Sequence, residues 1–160
     1  ATKSHLPKGF DKLLKAISPT ILSKTTEDLP HLLSPSDIGI HNSMFCNETY
    51  SFFDFEYSGI DSPIKLVYDT VLHPANKIGA DLHSSIINKL FFNLGYRNFL
   101  FDYDVYRAFV AWWILRLVNS INEKVICSRL QKQTLSASEI DSYVSQRLAT
   151  AVKFWRLLDV

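Results

Sequence analysis

A chain of 160 residues with 47% hydrophobic residues has enough apolar material for one folded domain that buries roughly 70% of the surface its unfolded chain would expose. Five glycines and 13% aromatic residues exclude a disordered or low-complexity class. A formal net charge of +1, with 17 basic residues scattered rather than striped, argues against general nucleic-acid binding.

In chain order, Leu6, Phe10, Leu13, Leu14 and Ile17 recur at helical steps and predict a short helix stopped by Ser18-Pro19. A second short helix is expected before Pro30. Ser34 to Asn42 carries Pro, Ser, Asp and Gly without period and reads as a loop. SMFC and YSFFD, separated by Asn47-Glu48-Thr49, predict a β-hairpin. Asp61-Ser62-Pro63 starts a helix that His73-Pro74 ends. Longer helices are expected from Ile78 to Leu94, from Tyr103 to about Glu123, and from Ser138 to Leu158, the last behind a capping box at Ser136 to Glu139. In that last helix Ile140, Tyr143, Val144, Leu148, Ala151 and Trp155 form the core stripe, with Arg147, Lys153 and Arg156 outward. The aromatic residues from Phe91 to Tyr106 are expected to pack in the core. At least one of the neighbouring Trp112 and Trp113 is expected to be partly exposed.

Cys46 and Cys127 lack metal or disulfide spacing and read as buried free thiols in a reducing compartment. The charged N-terminus has no apolar run behind it and is not a signal peptide. The longest apolar run, Phe109 to Leu115, is far short of the ~20 residues of a spanning helix, so a cytoplasmic protein without a membrane partner is expected. His73 and His83 have no partner at metal spacing. Asp81, Asp102, Asp104 and Glu139 serve equally as cation contacts, helix caps or surface charges.

The stretch with chemistry in it is SPSDIGIHN followed by FFDFEYSGIDSP. Phosphoryl transfer needs a group to orient an acceptor hydroxyl and accept its proton, and hard oxygens to hold the metal that neutralises the phosphates. Asp37, Asn42 and Asp54 have that order: a loop Asp, an Asn five residues later, and an Asp beyond a hairpin. The bland reading of the same residues is loop and turn chemistry.

At these residues the chain resembles the aminoglycoside phosphotransferase and choline kinase-like family, of protein kinase-like fold, whose catalytic loop reads His-Gly-Asp-x4-Asn and whose metal motif is Asp-Phe-Glu. The resemblance implies a mainly α fold: a helical C-terminal lobe with a small embedded hairpin, a single domain over residues 1–160 with its catalytic-loop hairpin at about 34–57. It assigns Asp37 as catalytic base and Asn42 and Asp54 as Mg2+ ligands, with Glu56 and Asp61 in support. His41 is expected either to contact phosphate or substrate, as a cofactor-binding residue, or to stay a solvated or locally hydrogen-bonded loop histidine. The implied cofactors are Mg2+ with ATP or GTP, and the implied partner is a small-molecule hydroxyl substrate.

This chain has Pro35-Ser36 where the family has His-Gly, Ile38-Gly39-Ile40-His41 inside the loop, and Lys65 where many relatives carry an acidic residue. The 36 residues before Asp37 are not expected to supply the family's β-rich nucleotide-binding lobe, and no GxGxxG or Walker A pattern occurs. The chain therefore reads as a C-terminal lobe, completed by an N-lobe-containing chain or exposing apolar surface for a homo-oligomer. The alternative is a non-catalytic interaction or regulatory module that keeps the lobe.

Overall fold

In the computed structural model, the residues described are 31–132 and 135–158. The two helices expected before Pro30 lie outside them. The described chain is mainly helical with a small hairpin, the fold class expected. It divides into two compact units, the described residues up to Phe109 forming one and those from Val110 the other.

The first unit opens with strand β1 (Leu32–Ser34), which pairs antiparallel with β4 (Gly59–Asp61). Between them stand a 3-10 turn over Ile40–Asn42 and the hairpin of β2 (Ser43–Cys46) and β3 (Thr49–Phe52). The hairpin turn is two residues rather than three: Asn47 and Glu48 both have positive φ, 49° and 62°, the pattern of a type I′ turn. Thr49 joins the strand opposite Cys46.

Helix α1 (Pro63–Leu72) begins as its sequence predicts. The Ser62 hydroxyl accepts the Ile64 N–H, and Pro63 sits where its missing donor costs nothing. It ends at His73, held extended (φ −61°, ψ 123°) ahead of Pro74. Ile64, Val67, Tyr68, Val71 and Leu72 are buried. Helix α2 (His83–Asn93) starts later than the expected Ile78 because an extended Gly79 (φ −68°, ψ 142°) and a 3-10 turn over Ala80–Leu82 intervene. Gly95, at φ +88°, closes it with a conformation side chains avoid.

Helix α3 (Tyr103–Asn119) is capped by Asp102, whose Oδ1 accepts the Asp104 and Val105 N–H groups at 2.9 and 3.1 Å. Tyr68 ties α1 to this start: its hydroxyl accepts the Asp102 N–H at 3.0 Å and donates to the Asp102 carbonyl at 3.2 Å. Its ring stacks on Phe109 at 5.3 Å, and burial pushes its pKa up to about 12. The aromatic residues expected in the core divide. Phe91 and Tyr106 are buried, whereas Phe92 and Tyr103 are exposed and lie under the Arg97 and Arg107 guanidinium groups. Aromatic faces that attract a cation can stay at the surface.

In the second unit Trp113, Ile114 and Leu117 are buried, while Trp112 is half-buried, as the pair was expected to divide. The predicted helix to about Glu123 stops at Asn119. Asn122 then caps a separate α4 (Glu123–Gln131), accepting the Val125 N–H at 3.0 Å. The capping box ahead of α5 (Ile140–Arg156) forms, with the Glu139 carboxylate bound by the Ser136 N–H and hydroxyl. The stripe of α5 shifts, however: Leu148 is exposed, Ala151 and Phe154 are buried, and Arg147 lies against the Tyr143 ring with Arg129. Both cysteines are exposed free thiols, not buried ones. Cys46 ends a strand with no buried residue, and Cys127 stands on α4, which has none either.

Candidate functional site

The loop from Ser34 to Asn42 is bent by hydrogen bonds its own sequence supplies. The buried Ser34 hydroxyl accepts the Ser36 N–H at 3.0 Å. The Asp37 N–H reaches back to the Pro35 carbonyl at 2.7 Å, around a Ser36 with φ 61°. Such a three-residue turn is rare and strained for a residue with a Cβ. It stands where the resembled family has its glycine.

Ser36 is held in that conformation from β4 and α1. Its hydroxyl donates to Asp61 Oδ2 at 2.8 Å, and the same oxygen takes Lys65 Nζ at 2.8 Å. Burial alone would raise the Asp61 pKa, but the bonds from Lys65 and Ser36 outweigh it and hold the carboxyl below its ordinary range. Lys65 also lies 3.5 Å from the buried Asp69. The lysine that departs from the acidic pattern thus buttresses the loop through Asp61.

Among the expected site residues, Asn42 is joined to Asp37 directly. Its Nδ2 donates to the Asp37 carbonyl at 3.2 Å, which fixes the amide's donor end and leaves Oδ1 as the acceptor end. Asn42 is buried, and its own carbonyl accepts the Phe53 N–H at 3.0 Å. The hairpin therefore returns the chain so that Asp54 follows the residue bonded to Asn42. Asp54 has φ 63°, a left-handed conformation that aspartate adopts more readily than most residues. Glu56 accepts a hydrogen bond from Tyr57, and this bond together with the charges of Glu56, Asp54 and Asp37 raises the pKa of the exposed tyrosine.

Mg2+ demands hard oxygen ligands. The amide oxygen of Asn42 and the carboxylate of Asp54 have that chemistry, and the bond from Asn42 Nδ2 to the loop carbonyl leaves Oδ1 as the acceptor atom of the amide. The donor set fits the ion.

Sequence reasoning missed His73. Although it has no neighbour at metal spacing along the chain, its Nε2 lies 2.9 Å from Asp37 Oδ1, and its ring stacks on His41 with centroids 5.2 Å apart. His41 Nε2 is 3.9 Å from Asp37 Oδ2. One ligand-capable atom from each of Asp37, His41 and His73 lies within 4.8 Å of the others. The one local signal was His73-Pro74 itself, a polar ring fixed at a helix end. His83 is a different case: Tyr106 Oη lies 2.7 Å from its Nδ1 and the Ile78 carbonyl 3.2 Å from its Nε2, and burial lowers its pKa.

A cavity of about 270 Å3 is lined by Ile64, Tyr68, Phe91, Phe99, Leu100 and Val105, with Asn98 and Asp102 at its polar edge. Asp37, His41, Asn42 and Asp54 are not among its lining residues. No family model, curated protein or solved structure matches the chain.

Proposed function

We propose that this chain is the C-terminal lobe of a small-molecule phosphotransferase that, completed by an N-terminal lobe, transfers the γ-phosphate of ATP or GTP to a hydroxyl. The observation that supports the reading is the return of the hairpin: Phe53 donates its N–H to the Asn42 carbonyl, so Asp54 is the residue after the partner of Asn42, whose side chain in turn donates to the Asp37 carbonyl. In this reading Asp37 accepts the proton of the acceptor hydroxyl, and Asn42 and Asp54 hold Mg2+. The ion, when bound, neutralises charge on the phosphates. His41 stands at the loop's exposed edge for phosphate contact. Among the described residues no helix is long and apolar enough to cross a membrane, and the proposed reading takes the expected cytoplasmic setting as its own.

Calorimetric titration of Mg-ATP and Mg-GTP into the full-length protein, with any chain that co-purifies, tests this. Binding that Asp54→Ala abolishes, together with loss of transfer, is the expected result. Unchanged binding and transfer in Asp54→Ala would remove the assignment.

A second reading has its own observation. Met44, Phe45, Tyr50, Phe52, Phe53 and Phe55 are all between 47% and 60% exposed, an apolar surface suited to a partner chain or a second copy. An interaction module without catalysis is the reading that absence of nucleotide binding would favour.

A further inference from the structure

We infer that His73 is the residue that orients the carboxylate of Asp37, presenting one of its oxygens to the acceptor hydroxyl. This rests on Asp37 as the base. The resembled family's loop carries a histidine just before that base, a position held here by Pro35. The orienting group arrives instead from the end of α1, 36 residues along the chain.

The tautomer follows from the backbone. His73 Nδ1 accepts the Ala75 N–H at 3.2 Å, so in the neutral ring the proton belongs to Nε2, the atom 2.9 Å from Asp37 Oδ1. One oxygen of the carboxylate is thereby bound to a neutral donor. The other, Oδ2, is 3.9 Å from His41 Nε2, beyond hydrogen-bonding distance, and keeps its capacity to accept the proton of a hydroxyl. A neutral donor orients the base without the charge that a lysine or arginine would bring against it.

The surroundings hold this pair in place. Asn76, three residues after His73, clamps the loop: its Oδ1 accepts the Ile40 N–H at 2.8 Å, and its Nδ2 donates to the carbonyls of Ile38 and Thr70 at 2.9 and 2.6 Å. The turn that carries His73 and the loop that carries Asp37 are thus one hydrogen-bonded unit. Gly39 makes room for it. Its φ of −93° requires no glycine, but a Cβ there would lie 2.1 Å from the His41 ring and 2.7 Å from His73 Cε1. A side chain there would displace the exposed His41 ring and press on His73, so glycine suits the present placement of the two rings.

Two measurements on the full-length protein test the assignment. In ring-nitrogen NMR at neutral pH, His73 is expected as the Nε2–H tautomer, with that proton's resonance moving in Asp37→Asn. A Nδ1–H tautomer, or a His73 signal indifferent to Asp37→Asn, overturns the proposal. So does tight Zn2+ binding that removes the Nε2 proton, since the three side chains would then be a metal site. Where the parent protein transfers phosphate from Mg-ATP to a compound in a screen of hydroxylated amines, His73→Leu is expected to lower kcat by about a hundredfold with KM for Mg-ATP unchanged. His73→Gln, which keeps a donor at the Nε2 position, is expected to restore kcat to within about tenfold of the parent. Unaltered kcat in His73→Leu, or a change confined to KM, overturns it. A protein that binds no Mg-nucleotide removes the phosphotransferase reading, and the NMR result still decides the hydrogen bond.

Discussion

Two stretches of the first unit are equally apolar and opposite in fate. From Met44 to Tyr57 the aromatic side chains are about half exposed, whereas in α1 and α2 Val67, Tyr68, Leu72, Ile87 and Phe91 keep 1% or less. The difference lies in what each stretch can cover by itself. α1 and α2 pack on each other, so each buries the apolar face of its neighbour. The hairpin has two strands and no opposing layer among the described residues, and two strands alone bury too little to be independently stable. Its order comes from elsewhere: the type I′ turn, the Phe53 bond to Asn42, and the bonds that join the loop to α1. The helices supply the stability, and the strands supply the position of the site.

Removing one ring from each stretch separates the two roles. Phe91→Ala should cost about 3–5 kcal/mol, the usual loss for a fully buried phenylalanine. Phe45→Ala, at a position 60% exposed, should stay within about 0.5 kcal/mol. Chemical denaturation of both variants checks this, and comparable losses would mean that the hairpin face is covered by a partner in solution.

A smaller effect concerns the buried histidine of the helical stretch. Burial lowers the His83 pKa, so the folded state keeps the ring neutral at a pH where the unfolded chain, with a pKa of about 6.5, binds a proton. The unfolded state then holds more protons, and stability falls as pH drops from about 6.5 towards the folded pKa. In His83→Gln that part of the acid sensitivity should disappear, seen as a flatter Tm between about pH 6.5 and 5. An unchanged slope would place the sensitivity on other groups.

The smallest effect has the opposite sign and tests the hairpin. Glu48 stands at φ 62° in the second turn position, where glycine is the favoured residue. Glu48→Gly should stabilise the protein by about 1 kcal/mol by removing the left-handed cost of a side chain. Destabilisation would mean that the turn is not what orders the strands.

Local chemistry made much of this molecule legible. Ser62-Pro63 and His73-Pro74 marked both ends of α1, because a cap and a proline act within a turn or two of themselves. The hairpin around its turn residues and the capping box at Ser136 to Glu139 were readable for the same reason. The break between α3 and α4 was within reach: Asn119-Ser120-Ile121-Asn122 puts two asparagines and a serine in a helical run, and Asn122 uses its side chain as a cap. The pairing of β1 with β4 had no such signal, since three-residue strands show no period and their ladder joins residues nearly thirty apart.

For the site, the order Asp37, Asn42 and Asp54 is a property of the chain, and so is the hairpin that brings Asp54 back towards Asn42. Groups with local partners can be read from the chain alone: helix ends, turn, and the loop whose spacing carries the resemblance. Only the tertiary structure decided that His73 meets Asp37, that Lys65 reaches the loop through Asp61 and Ser36, and that Gly39 leaves room for two rings. These contacts depend on where the end of α1 comes to rest against the loop. That placement follows from burial of the apolar face of α1 and from the Asn76 clamp, and neither leaves a periodic trace in the residues around Asp37.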